Sequence, residues 1–159
     1  KEENITELND YASSIMGYLR ETIWVLNNPR LTFTAFTDRF KNYSVRIIKN
    51  YPQVSLQIHE QIENERELSP QISLNLFRVM QEALQNACRH ADASVVKISF
   101  ISNHNIQLGI IDNGKGMNGE KRDDSFGLQN MYERATEIGF ELSIISQEGN
   151  GTIVSLTEK

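Results

Sequence analysis

The sequence predicts an α+β fold: a two-layer sandwich with helices on one face of a sheet, preceded by a long amphipathic helix. Three observations predict it. Apolar residues recur at helical spacing in four separate stretches, and strict apolar/polar alternation marks strands between and after them. The strands fall largely into two hairpins with turn residues between them. Helices and strands mix without a strict βαβ alternation, which argues for helices gathered on one sheet face. The composition agrees, since 159 residues with 39% hydrophobic and 23% charged side chains suit one globular domain with an appended element. A net charge of −5 and the lack of any basic run exclude nucleic acid as the main partner. Apolar runs of only a few residues predict neither a membrane span nor a signal peptide. The one cysteine, Cys88, can form no disulfide within the chain, which is consistent with a reducing compartment.

Residues 3–27 carry Ile5, Leu8, Ala12, Ile15, Leu19, Thr22 and Leu26, three and four apart. That heptad seam predicts pairing with other helices. Tyr11, Met16, Tyr18, Ile23 and Trp24 widen the apolar surface, so a bundle covers it better than a two-stranded coil. The competing reading is a helix packed on its own domain. Asn27-Asn28-Pro29 stops the helix. A second helix is expected over residues 32–50, with Phe33, Phe36, Phe40, Tyr43 and Ile47 on one side. Val54, Leu56 and Ile58 then alternate with Ser55, Gln57 and His59 as a half-buried strand.

The central helix starts sharply, with Ser69 as N-cap and Pro70 at the first helical position. Leu76, Met80, Ala83, Leu84, Ala87 and Ala91 mark its core face, and Cys88 reads as a small buried hydrophobe. Glu82, Asn86 and His90 lie along another line at i, i+4 and i+8, a plain solvated face or a functional one. Val96, Ile98 and Phe100, the turn at 102–105, and Ile106, Leu108 and Ile110 form a hairpin. A polar loop runs over residues 118–125. A helix from about Gly127 to Ile138 ends at Gly139. Leu142 and Ile144, with Ile153 and Ser155, make a last hairpin turning at Asn150-Gly151.

Chemistry is concentrated after the central helix. In Ile110-Ile111-Asp112-Asn113-Gly114-Lys115-Gly116-Met117 an apolar strand runs into a carboxylate and two glycines. Glycine allows positive φ and close backbone approach to a ligand, and a carboxylate at the end of a buried strand is costly without donors. A simple turn is the alternative. In Ser125-Phe126-Gly127-Leu128 a glycine at a helix start leaves N–H groups free for an anion, or marks only a capped terminus. Gly149-Asn150-Gly151-Thr152 alone is a hairpin turn. The sequence has no P-loop, no dinucleotide fingerprint and no cysteine set for zinc. His59, on a predicted strand, and His104, in a predicted turn, read as structural or solvated.

Taken together and in order, these stretches resemble the sensor histidine kinases. Gln81-Glu82-Ala83-Leu84-Gln85-Asn86-Ala87-Cys88-Arg89-His90-Ala91 is similar to their N box. Asp112-x-Gly114-x-Gly116-Met117 resembles the first glycine box, and Phe126-Gly127-Leu128 with Met131, Glu133, Arg134 and Ala135 the second. Gly151-Thr152-x-Val154 matches the closing strand. The nearest class is the nitrate-sensor and degradative-enzyme type. Ser125 and Phe126 stand where the second glycine box usually carries an earlier glycine and a histidine.

The resemblance implies the histidine-kinase/gyrase-type ATPase (Bergerat) fold, with residues 29–159 as the ATP-binding catalytic domain. Residues 1–28 are then the C-terminal helix of a dimerisation and histidine-phosphotransfer bundle. It implies ATP and Mg²⁺ as cofactors, with Asn86 as the metal ligand and Glu82 orienting or deprotonating the attacking group. Asp112 accepts from the adenine amino group. Gly114, Gly116 and Gly127 allow close backbone approach, with Met117 and Leu128 beside them in the boxes; Arg89 and His90 contact phosphate, and Thr152 lies on the adenine side. The phosphoaccepting histidine belongs on a helix before Glu2, and a response regulator is the onward partner. A homodimer through residues 3–27 follows, in the catalytic portion of a bacterial receptor on the cytoplasmic side, anchored if at all by upstream segments. Three alternatives accompany this reading: a gyrase- or chaperone-type ATPase, a serine-directed anti-sigma-factor kinase, and a non-catalytic nucleotide-gated dimerisation module.

Overall fold

The computed structural model describes residues 2–89, 91–116 and 125–159. Its elements are α1 (Glu2–Leu26), β1 (Leu31–Thr32), α2 (Phe33–Ile48), β2 (Ser55–Ile62), β3 (Glu67–Leu68), α3 (Pro70–Arg89), β4 (Val95–Ser102), β5 (Ile106–Asp112), α4 (Ser125–Glu137), β6 (Phe140–Gln147) and β7 (Gly151–Glu158). Five strands form one sheet in the order β2-β4-β5-β7-β6, parallel between β2 and β4 and antiparallel elsewhere. β1 and β3 pair as a separate two-stranded ribbon.

Local chemistry places the helix ends. Ser69 Oγ accepts the Ile72 N–H at 3.2 Å and caps α3 ahead of Pro70. Thr32 caps α2 in the same way, accepting from Ala35 at 3.2 Å. Gly139, at φ +73°, ends α4 in the left-handed conformation that favours glycine. Val96, Ile98 and Phe100 of β4 and Ile106, Leu108 and Ile110 of β5 point into the core, against α2 and α3. Phe77 of α3 holds its centre. Its ring lies 5.2 Å from Phe40 and 5.4 Å from Tyr43, edge-on to both, an arrangement aromatic pairs favour.

Three details differ from the expectations. β2 pairs only through β4 and leaves Ile58 exposed, because an edge strand has cover on one flank alone. The inward residues of β7 are Val154 and Leu156, one position out of phase with Ile153 and Ser155. Ile153 instead stands between Ile111 and Ile145 on the outer face of the sheet. The β1–β3 ribbon was not expected, since two residues carry no readable period.

α1 divides into two parts. Ile5, Leu8, Ile15, Leu19 and Leu26 of the seam are each more than half exposed. The last two turns dock on the domain instead. Val25 is buried, and the buried Glu21 carboxylate takes two hydrogen bonds from Arg39 at 3.0 and 3.1 Å. Buried Arg78 of α3 lies 3.7 Å from the centre of the Tyr18 ring and donates to the Tyr18 carbonyl at 2.6 Å. No described helix is long and apolar enough to cross a membrane.

Candidate functional site

The site residues gather where β5 ends and β7 begins, along one side of α3 and at the start of α4. Asp112 closes β5 and is 6% exposed. Its Oδ1 accepts the Gly114 N–H at 2.8 Å. Burial pushes its carboxyl above the usual carboxylate range, and the backbone N–H groups of Gly114 and Thr152 pull it partly back. Among the described residues no basic side chain forms an ion pair with it. A buried carboxylate held by backbone donors alone is an acceptor aimed at neutral donors, such as an exocyclic amino group. Thr152 faces Asp112 in the β5–β7 register, and its Oγ1 lies 2.8 Å from Ser146 Oγ. The nearby Cys88 thiol is raised to about 11 by burial first and the Asp112 carboxylate second, so it stays protonated.

The loop after Asp112 is fixed by groups that sequence reasoning passed over. Asn113 Oδ1 accepts from the N–H groups of Ser94 and Val95 at 3.0 and 2.9 Å, and its Nδ2 donates to Ser94 Oγ at 2.9 Å. Asparagine at a turn was the available signal, for this side chain readily bonds nearby backbone. Lys115 N–H donates to the Ala91 carbonyl at 2.6 Å, and Gly149 N–H to the Lys115 carbonyl at 2.8 Å.

The glycines of these boxes have neighbours inside the protein. A Cβ on Gly114 would stand 2.0 Å from the Ala91 carbonyl oxygen. One on Gly116, whose φ is +70°, would stand 2.2 Å from the Gln147 oxygen. Backbone passes backbone at both places, so each needs glycine before any ligand arrives. A Cβ on Gly127 would lie 2.8 Å from Glu82 Oε1, a side-chain neighbour.

Glu82 and Asn86 are half-buried one turn apart on α3, and Arg89 is exposed at its end. Gln85, between them, donates to the Tyr43 hydroxyl at 3.1 Å and fixes that side of the helix against α2. Leu128 packs on the core from α4, while Phe126 is exposed. Of the other second-box residues, Met131 and Ala135 are core, and Arg134 donates to Asn75 of α3 at 3.1 Å. The structure therefore brings together Asp112, Gly114 and Thr152 at the strand ends, and Glu82 with Gly127 across α3 and α4. His90, Met117 and the polar loop up to residue 124 lie outside the described residues. Asn86 and Glu82 offer hard oxygen donors on successive turns. That donor set suits Mg²⁺, which takes one or two protein oxygens and completes its shell with water and phosphate.

Comparison with known proteins gives a consistent family. The family described as histidine kinase-, DNA gyrase B- and HSP90-like ATPase matches residues 71–158, more than half of the chain. The sensor histidine kinase LiaS of Bacillus subtilis is 43% identical over 91 residues, covering 56% of this chain and 25% of its own. The sensor protein VraS of Staphylococcus epidermidis is 36% identical over 112 residues, covering 69% of this chain and 32% of its own. The chain thus spans about a quarter to a third of these relatives. In fold it is similar to the histidine kinase domain of the blue-light activated histidine kinase EL346 of Erythrobacter litoralis. The TM-score is 0.69 at 16% identity, over 89% of this chain and 71% of that one.

Proposed function

The chain belongs to the histidine kinase-, DNA gyrase B- and HSP90-like ATPase family, and from that premise we propose that it is the ATP-binding catalytic domain of a two-component sensor histidine kinase. It delivers the γ-phosphoryl group of Mg·ATP to a histidine outside residues 1–159, and the group passes on to a response regulator. The names of the curated relatives, one a sensor histidine kinase and the other a sensor protein, support this over a gyrase- or chaperone-type ATPase and over a serine-directed kinase.

The observation that carries the reading is Asp112, buried at a strand end with backbone donors and no ion-pair partner among the described residues. It takes the adenine amino group, with Thr152 beside it and Gly114 and Gly116 fixing the loop. Asn86 is the protein's ligand for Mg²⁺, which, when bound, neutralises the phosphate charge. Glu82, one turn earlier, orients or deprotonates the attacking imidazole. Arg89 and His90 lie toward the phosphates, with Leu128 of α4 and Met117 of the first glycine box on the same side. Phosphoryl transfer asks mainly for positioning and charge stabilisation, which suits a site built from backbone geometry and few titrating groups. The exposed seam of α1 supports a homodimer through residues 3–27, on the cytoplasmic side of any membrane that upstream segments reach.

Base choice tests the reading. Adenine gives Asp112 an amino donor where guanine gives a carbonyl acceptor, and a site built on one buried polar group rejects the wrong partner by roughly 10⁴-fold. Calorimetry with ATP, ADP and GTP is expected to show binding of the first two alone. Comparable affinities for ATP and GTP would remove Asp112 from this role.

A further inference from the structure

We propose that Gly127 is a positioning residue for Glu82, which places the carboxylate of α3 through the first turn of α4. The proposal rests on the reading of Glu82 as the group that handles the attacking imidazole, and it assigns Gly127 a role other than nucleotide approach. Three observations carry it. The ideal Cβ of Gly127 falls 2.8 Å from Glu82 Oε1 and 3.5 Å from its Cδ, so the carboxylate fills the space a side chain would take. The nearest atom to Gly114 and to Gly116 is a backbone carbonyl oxygen; at Gly127 the near atoms, among the described residues outside its own helix's backbone, are those of the Glu82 carboxylate. Glu82 is half-buried, and it has no ion-pair partner among the described residues.

The physical reason is direct. The first turn of α4 carries N–H groups without intrahelical acceptors, and its dipole favours a negative neighbour. α4 is itself held to α3 by the buried Met131 and Ala135 and by the bond from Arg134 to Asn75. The carboxylate therefore rests against a rigid wall. A methyl group at 127 would push it off by swinging the flexible end of Glu82, without moving either helix.

The test is a double-mutant cycle in the full-length kinase, with ATP calorimetry on the present chain. Glu82→Ala is expected to lower phosphotransfer by about 10²-fold or more. Gly127→Ala alone should lower kcat about tenfold or more with KM and ATP affinity within about twofold, and should cost nothing further in the Glu82→Ala background. In carbon-detected spectra the Glu82 carboxyl resonance should move in Gly127→Ala while the core methyl resonances stay in place. Two results would overturn the proposal: costs that multiply in the double variant, or a tenfold loss of ATP affinity in Gly127→Ala with the Glu82 resonance unmoved. A Glu82→Ala enzyme of normal rate would instead defeat the functional reading of Glu82.

Discussion

α1 and α3 carry apolar periodicities of the same kind and meet opposite fates. α3 buries twelve of its twenty residues, between the sheet, α2 and α4. Among its described side chains, α1 buries only Glu21 and Val25, and its seam is largely exposed. A helical period shows that a helix has an apolar side and leaves open what covers it. For α3 the cover is its own sheet. For α1 the cover is a few polar and aromatic contacts near its C-terminal end, and the seam stays exposed. Of the two readings of residues 3–27, the last turns follow the helix packed on its own domain, and the exposed seam leaves the bundle helix as a proposal.

The sharpest way to break this contrast is to damage each helix in turn. Phe77→Ala in α3 is expected to cost about 3–5 kcal/mol by urea denaturation, the usual range for a buried phenylalanine. Ile15→Glu with Leu19→Glu in α1 should change domain stability by less than about 0.5 kcal/mol per site while abolishing association in sedimentation experiments. A collapse of the domain in the double variant would place the seam inside its core.

A smaller effect is expected where the two helices meet. Arg78→Ala removes the bond to the Tyr18 carbonyl, the ring contact and the bond to Gln81, and it leaves Gln81 short of a partner. A loss of about 2–3 kcal/mol follows from the lost bonds and the unpaired buried polar group. Hydrogen exchange should show residues 18–26 losing protection while the central strands keep theirs. Equal loss in both would mean that α1 and the domain unfold as one unit.

The smallest effect concerns the wall that α3 faces at the strand ends. The folded-state pKa of Asp112 is raised by burial, so the folded chain holds this proton more tightly than the unfolded one. Its contribution favours folding below the ordinary aspartate range near about 4 and is lost as pH rises through the raised value. Asp112→Asn should therefore be more stable than the parent at neutral pH without nucleotide, with the gap closing on acidification. Thermal midpoints across pH 3–7 check the sign; a variant less stable at pH 7 would show that Asp112 is structural.

The parts of this structure legible in the sequence are those whose cause is local. Ser69-Pro70 and Gly139 mark helix ends through effects a few residues long. The core face of α3 and the line of Glu82 and Asn86 follow from one period. What was missed depends on distant partners or on ambiguous patterns. Ile153 and Val154 are adjacent β-branched residues, so alternation alone could not choose which faces inward. Arg78 reads as a surface cation until Tyr18 is seen beside it, and Gly127 reads as a ligand-facing glycine until Glu82 is.

The parallel pairing of β2 with β4 sets an order of events in time. A hairpin such as β4–β5 can close as soon as its second strand exists, but β2 must wait for the whole of α3 to come between it and its only neighbour in the sheet. Ser55 meets Val95 forty residues later in the chain (95 − 55), and contacts this far apart form late because loop closure precedes any gain. During synthesis β2 thus leaves the ribosome as an unpaired strand and waits until α3 and β4 have followed it. Until then its flank is open to a chaperone or to a second nascent chain.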